Sequence, residues 1–415
     1  MTSFRSAGST PKVCGADPVR RYLSGSSPAV LMTPPTGDAV GGPAPGASQK
    51  GQRRGGARTT VDRVGDLAEA ERLWDHLGEI ACLTFVKGVD EAEALRRLGA
   101  YPDTIGEKDP DELLEEFESD NPQYGLAVGL GPWSVVIEPM GFCGADNTLL
   151  RAVSVGTEAV AVLRHDYASA AFAYAVDGEL ITDFEPSYPD PAVMRGVDPQ
   201  RLWPAMRAVG FRPPDQDDEQ TSQPTMAMAL LLTQRITGVT VPPRPLDQPR
   251  LYAELEPWFA VTHHPRDLLT ADRLSPERHA APLVAAVEAA DPATQRRVAV
   301  SEVHRQAVAL GLAGTPGLDD ALSAATAGTG SPITIDSPLG HRVRTWLAAA
   351  RNASELDPGE RQHAYALGWF TSALRGVLNP DPRAAALAAA KPLTSEIPGL
   401  SDHALRAQMI EALRA

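Results

Sequence analysis

Four charged residues near the ends of apolar segments are the candidates for acid–base chemistry. Glu138 and Glu185 each stand directly before a proline, Asp183 precedes Glu185 by two residues, and Arg195 follows in a polar loop. If these segments are strands of one sheet, a sheet edge could gather two carboxyl groups and a guanidinium for general acid–base hydrolysis. The alternative stays open, because charged residues at strand ends that proline terminates normally face water or cap loops.

The other chemistry-bearing motifs predict no cofactor-binding residue and no metal ligand. The sequence has no Gly-x-Ser-x-Gly elbow, no phosphate loop ending in Gly-Lys-Ser/Thr and no His-Glu-x-x-His, and Gly129-Leu130-Gly131 lacks the later glycine of a dinucleotide-binding turn. His263-His264 with His279 could bind a metal, but no cysteine or carboxylate stands at a recognised spacing. We therefore interpret the adjacent histidines as a solvated loop pair.

The three cysteines, Cys14, Cys82 and Cys143, are widely spaced. This spacing argues against a disulfide framework and against a thiolate zinc site. Cys82 and Cys143 lie in apolar surroundings, which predicts inert buried thiols. A reducing compartment suits such cysteines, so we expect a cytoplasmic protein.

Charge divides the chain unevenly. Residues 1–60 contain eight basic and two acidic side chains, whereas the remainder contains 30 basic and 51 acidic ones, a net charge of −21. An acidic body repels phosphate backbones, so nucleic-acid binding is not expected. The first 60 residues are rich in Gly, Pro, Ser and Thr and are predicted to form a disordered tail. The richest apolar run, 226–232, is too short to cross a membrane.

The stretch 170–186 predicts a β-hairpin. Asp177-Gly178 separates two alternating apolar runs and favours a tight type I′ turn. A two-residue turn would place Ala171, Ala173 and Ala175 opposite Phe184, Thr182 and Leu180 on one face, and Phe172, Tyr174 and Val176 opposite Asp183, Ile181 and Glu179 on the other. The alanine face predicts a closely docked helix.

Two folded domains are expected in a chain of 415 residues. Periodicity predicts an α+β domain over residues 62–242, with an antiparallel sheet of about six strands whose helices cover one face. The predicted strands are 81–86, 124–130, 133–138, 157–163 and the two arms of the hairpin. A helix is predicted from Asp109-Pro110-Asp111-Glu112 to before Asn121-Pro122.

The segment Pro242-Pro243-Arg244-Pro245 breaks both helices and strands and predicts the domain boundary. Beyond it, residues 246–415 predict an alanine-rich, all-α helical domain. Asp291-Pro292 and Asp357-Pro358-Gly359-Glu360 have the composition of helix starts, the second resembling a capping box.

Short motifs follow one another from Trp74 to Val239. They are 82–88, 124–129, 132–138, Gly141-Phe142, 174–178, 184–186, Arg195-Gly196, Asp198-Pro199 and 236–239. In this order they resemble a family of uncharacterised actinobacterial proteins that share a domain of unknown function. The resemblance covers roughly residues 70–240. It implies no activity and carries over no functional residue.

Two classes of function follow as hypotheses. The first is a noncatalytic protein-binding module, of the immunity or scaffold kind, in which an acidic surface captures a partner protein. The alternative is a hydrolase that uses Glu138, Asp183, Glu185 and Arg195, and it requires these side chains to converge in one pocket. The sequence leaves the oligomeric state open.

Overall fold

A computed structural model describes residues 60–109, 112, 123–213, 224–271 and 280–415 of the 415-residue chain. The predicted disordered tail lies outside these residues, apart from Thr60. Of the helix predicted from Asp109, only Asp109 and Glu112 are described. They exchange two side-chain-to-amide hydrogen bonds of 3.0 and 3.2 Å, the pattern of a capping box.

An antiparallel sheet of eight strands forms the centre of the N-terminal half. Its strands are β1 (Ile80–Lys87), β2 (Gly106–Lys108), β3 (Tyr124–Leu130), β4 (Trp133–Pro139), β5 (Glu158–His165), β6 (Ala171–Val176), β7 (Glu179–Phe184) and β8 (Arg250–Glu254). From edge to edge their order is β2-β8-β3-β4-β1-β5-β6-β7, and all neighbours run antiparallel. The antiparallel sheet is confirmed, whereas the count of about six strands is wrong.

The two unpredicted strands are β2 and β8. β2 has only three residues, too few to show apolar alternation. β8 follows the proline-rich segment that was expected to end the sheet domain, yet it pairs with both β2 and β3. The sheet therefore continues past the predicted boundary at residues 242–246, because the chain returns to cover the edge of β3. The division into separate domains stays a prediction.

Helices lie on both faces of the sheet, so the prediction of one covered face is wrong. The helices of this half are α1 (Thr60–Leu77), α2 (Glu91–Arg97), α3 (Asn147–Val153), α4 (Trp203–Val209) and α5 (Thr225–Thr237). α1, α4 and α5 cover the face with the larger side chains, such as Phe85, Ile137 and Phe172. α2 and α3 cover the opposite face. Since successive strand residues alternate between faces, strands that are apolar throughout must be buried on both sides.

The predicted turn between β6 and β7 is confirmed. Asp177 and Gly178 have φ angles of 48° and 80°, and both are positive, as a type I′ turn requires. The alanine face also packs as predicted: Ala173 and Ala175 are buried in one cluster with Leu149 and Leu150 of α3. The small side chains allow the helix to approach the strand closely.

The predicted pairing register is wrong beyond the first two pairs of the hairpin. Val176 pairs with Glu179 and Ala175 with Leu180, but a bulge in β7 then places Ala173 opposite Asp183. A bulge adds one residue to one strand, so every later pair shifts by one. The bulged strand hydrogen-bonds the segment that follows it, since Ile181 O accepts from Asp198 N at 3.2 Å. A turn type alone does not encode this irregularity.

The chain beyond β8 is helical. Its helices are α6 (Pro257–Ala260), α7 (Ala280–Ala289), α8 (Pro292–Ala309), α9 (Leu318–Thr326), α10 (Pro338–Arg351), α11 (Pro358–Val377), α12 (Pro382–Ala390) and α13 (His403–Arg414). They share one apolar cluster, which confirms the predicted helical C-terminal region. Asp291 caps α8 as expected, but Asp357 makes no side-chain cap bond, so the capping box there is wrong. No helix in the described ranges has the length and apolarity needed to cross a membrane.

Arginine–carboxylate pairs join the helices to the segment that leaves β8. Arg375 of α11 binds Asp267 in a bidentate manner, at 2.7 and 3.0 Å, and also donates to Trp258 O at 3.2 Å. Arg351 of α10 donates to Glu256 at 2.6 Å. A bidentate arginine bond fixes orientation as well as distance. These pairs therefore determine how the helices approach the sheet.

We expect Ala173→Leu to lower the free energy of unfolding by about 1–3 kcal/mol, because the larger side chain overpacks the contact between β6 and α3. Chemical denaturation followed by circular dichroism measures the loss. Ala208→Leu, at an exposed position of α4, is the matched control and should change stability by less than about 0.5 kcal/mol. Equal effects of the two substitutions would show that the alanine face tolerates added volume.

Arg375→Ala should destabilise the protein by about 3–5 kcal/mol, because it leaves the buried Asp267 carboxylate unpaired. The control is Arg383→Ala, which removes an exposed ion pair with Glu288 and should change stability far less, because solvent screens exposed charges. Denaturant midpoints of both variants test the difference. A loss at Arg375 no larger than that at Arg383 would contradict a role in joining the helices to the sheet.

Candidate functional site

Asp183 and Arg195 meet at the outer edge of the sheet. Their backbones exchange hydrogen bonds of 2.9 and 3.0 Å, and Arg195 Nη2 lies 2.8 Å from Asp183 Oδ2. Asn147, the first residue of α3, donates to the same oxygen at 3.1 Å. Burial raises the pKa of the Asp183 carboxyl, while the Arg195 charge opposes the rise. The pair holds the segment after β7 against the edge of that strand.

Glu138 lies inside the protein, with 1 % of its surface exposed. Its Oε2 accepts from Cys143 N and its Oε1 from Gly144 N, each at 2.8 Å. Burial raises the pKa of Glu138 to about 7, although these amides and the thiols of Cys82 and Cys143 oppose the rise. Both carboxylate oxygens are thus engaged by the loop that follows β4.

The loop packs tightly around this carboxyl group. A Cβ atom at Gly144 would lie 1.8 Å from Thr84 Oγ1 and 2.9 Å from Glu138 Oε1. A Cβ atom at Gly141 would lie 2.9 Å from the Cβ of Glu138. Distances below 3 Å leave no room for an added atom, still less for a substrate. Glu138 therefore positions the loop and has no access to a ligand.

The two cysteines near Glu138 are buried and free, as predicted. Burial, followed by the charge of Glu138, raises the pKa of both Cys82 and Cys143 well above the ordinary value of a thiol. Nucleophilic chemistry requires the thiolate form. These surroundings favour inert thiols.

The four candidate catalytic residues do not converge. Glu185 is exposed and accepts a hydrogen bond from Ser187 Oγ at 2.7 Å. Glu138 on β4 and Asp183 on β7 are four strand spacings apart, about 19 Å. Paired carboxyl groups of glycoside hydrolases stand roughly 5–10 Å apart. The structure brings together only Asp183 and Arg195, so the convergence that the hydrolase hypothesis requires is absent from the candidate set.

The adjacent histidines have different surroundings. His263 is exposed, whereas His264 Nε2 lies 3.2 Å from Asp146 Oδ2 and its Nδ1 accepts from Arg266 N at 3.0 Å. Burial would raise the pKa of Asp146, but hydrogen bonding to His264 and the charges of His264 and Arg266 hold it well below its ordinary value. Both ring nitrogens of His264 are occupied. The solvated-pair interpretation is therefore wrong for His264, which links the helical region to the start of α3.

His279 lies outside the described residues. Across the ranges that the structure describes, no three His, Cys, Asp or Glu side chains form a group that could hold a metal ion.

A cleft beside Trp258, Ile333 and Leu378 has a volume of about 40 Å³. Ligand pockets typically enclose roughly 300–1,000 Å³. This cleft is far below the size of such a pocket.

A feature that the sequence analysis missed is the turn at Met140. Gly141 N donates to Glu138 O at 3.2 Å, and Met140 has a φ of 55° with 56 % of its surface exposed. Proline at the second position and positive φ at the third match a type II turn, in which glycine normally takes the third position. The signal in the sequence is Pro139-Met140-Gly141, where a long side chain stands in place of glycine.

Met140 belongs to an exposed surface at one end of strands β4, β1 and β5. We call this the Met140 surface and define it by five residues: Asp75, Glu79, Met140, Asp166 and Tyr167. Tyr167 is 72 % exposed, and its hydroxyl donates to Glu79. The surface combines two large exposed side chains with three carboxylates. Such a combination can recognise a macromolecule without performing a reaction.

Comparison with known proteins gives one match. Residues 69–253, slightly under half of the chain, match the model of a family of unknown function (DUF6461). This confirms the resemblance to an uncharacterised domain, and the matched range ends within β8. No curated protein and no solved structure is similar enough to add a function.

Glu138→Gln should change how stability depends on pH. The pKa of Glu138 in the folded state, about 7, lies above that of an unfolded glutamate. Its protonated carboxyl therefore stabilises the fold at low pH, and this contribution is lost as the pH rises through about 7. Between pH 5 and pH 8 we expect the wild type to lose about 2–3 kcal/mol relative to Glu138→Gln.

Urea denaturation of both proteins across this pH range measures the difference, in which the contributions of all other groups cancel. Glu185→Gln, at an exposed carboxyl, is the control and should run parallel to the wild type. A constant difference between Glu138→Gln and the wild type from pH 5 to pH 8 would contradict the raised pKa.

Proposed function

We propose that this protein is a noncatalytic protein-binding module of the immunity or scaffold kind, and that its sheet-bearing half binds a partner protein with a basic surface. The observation that carries the proposal is the distribution of charge. Residues 60–256 contain 35 acidic and 15 basic side chains, a net charge of −20, whereas residues 257–415 contain 16 and 15. Such an excess in one half raises the rate at which an oppositely charged protein associates with it.

The architecture limits where a partner can bind. Helices occupy both faces of the sheet, and the segment around Arg195 covers the outer edge of β7. Among the described residues of the sheet, the loops at the ends of the strands are one surface that these helices and this segment leave for recognition. Binding sites commonly lie on loops that a rigid scaffold positions.

The candidate carboxylates support a binding role better than a catalytic one. Glu138 is saturated by backbone amides, Asp183 is paired with Arg195, and Glu185 lies in solvent. Each has a structural explanation, and none shares a pocket with another. A cytoplasmic location is part of the proposal and is supported by the free thiols of Cys82 and Cys143.

Affinity capture with the full chain as bait tests the proposal. The resemblance to actinobacterial proteins makes an actinobacterial lysate the first choice. We expect stoichiometric recovery of a basic protein at about 0.05 M salt and substantially less at about 0.5 M, because salt screens the attraction between charged surfaces. Mass spectrometry and densitometry identify and quantify the partner.

The matched control is the Gly144→Leu bait, which keeps the charge of the chain but forces side-chain atoms into Thr84 and disrupts the fold. Equal capture by this bait would show that binding depends only on acidic composition. Recovery of no stoichiometric partner from any lysate or salt condition would overturn the proposed function.

A further inference from the structure

We infer that the partner docks on the Met140 surface, where its lysine or arginine side chains meet Asp75, Glu79 and Asp166 while its apolar atoms contact Met140 and Tyr167. This inference rests on the proposed function and names the site and the chemistry of the partner. The partner is a protein whose contact region is basic and contains exposed apolar side chains.

Three chain segments of the Met140 surface are hydrogen-bonded side by side through their backbones. Met140 N donates to Ile80 O at 2.9 Å, and Asp166 N donates to Glu79 O at 3.0 Å. These bonds extend the ladders that join β1 to β4 and to β5. Met140 and Asp166 therefore flank the start of β1 at about two strand spacings, roughly 10 Å, from each other. One protein contact region can cover this span.

Met140 is unfavourable for folding but suited to binding. A non-glycine residue at a φ of 55° strains the backbone, and the side chain receives little burial in return. Strained residues of this kind concentrate at functional sites. Methionine is flexible and polarisable, so it adapts to an apolar partner surface. Glycine would suit the turn better than Met140 does. A contact of the methionine side chain with a partner explains why methionine stands there.

The charge of the Met140 surface indicates which kind of partner binds there. The described residues of this region include three carboxylates and the guanidinium of Arg164, which binds Asp166 at 2.8 and 2.9 Å and lies near Asp75 and Glu79. The local net charge of −2 favours cationic side chains. A second copy of the chain, with a net charge of −15, is disfavoured because two acidic molecules repel each other. Tyrosine and methionine are both enriched in protein interfaces.

Met140→Gly separates binding from folding. We expect the variant to raise Tm, because glycine relieves the strain, and to weaken capture of the partner by about tenfold or more. Val308→Ala, at another exposed apolar residue but on α8, should leave capture unchanged. A lower Tm for Met140→Gly would show that the side chain serves the fold. Unchanged capture would show that it does not contact the partner. Either result overturns the inference.

Photo-crosslinking locates the contact directly. A benzophenone amino acid replaces Met140 or Tyr167 in the full chain, and Val197 or Val308 in the controls, all of which are exposed. We expect the captured partner to crosslink to positions 140 and 167 but not to 197 and 308. Crosslinking only at the control positions would overturn the inference and leave the proposed function intact. A crosslinked dimer of the chain would replace the basic partner with a second copy, and capture of no partner would refute both proposals.

Discussion

The bond between the Glu138 carboxylate and the amides of Cys143 and Gly144 is the constraint on which the arrangement of this protein depends. The Glu138 side chain accepts hydrogen bonds from two buried amides that have no backbone partner in a strand or helix. These bonds close the loop between β4 and α3. The loop directs Met140 outward, and it places Asp146 where it caps α3. Because an unpaired buried amide costs about 1–3 kcal/mol, the carboxylate is retained although burial disfavours its charge.

The same loop connects the sheet to the helical region. Asp146 caps α3 and also faces His264 and Arg266, so one carboxylate joins a helix on the sheet to the segment that enters the helices. A few residues further along, Asp267 pairs with Arg375. Polar groups therefore hold the two regions together, and each has a specific partner. Directional contacts of this kind define one relative orientation more strictly than an apolar contact of similar size.

Local patterns in the sequence predicted those parts of the fold that depend on neighbouring residues. Asp177-Gly178 predicted the turn and alternation predicted the two arms of the hairpin. The periodicity and boundary residues of short segments predicted four further strands. The bulge at Ile181 and the strand β8 depend on distant contacts, which no local pattern records. The alanine face of the hairpin indicated a helix beside it, but not that helices cover both faces of the sheet. The candidate site was likewise predictable only where it depends on neighbouring residues. Asp183 and Arg195, which the sequence analysis placed in one candidate set, form an ion pair, but the burial of Glu138 depends on a loop whose path the sequence does not specify.

At Met140 the requirements of folding differ from those of recognition. Glycine fits the turn without strain, and the neighbouring glycines show that this loop uses small residues wherever packing demands them. Position 141 excludes a side chain, whereas position 140 points into solvent and accepts one at the expense of backbone strain. Proteins sit only slightly above the stability that function needs, and residues that reduce stability without a structural return concentrate where the molecule meets something else. With both sheet faces covered, the end of the central strands is where such a residue can act.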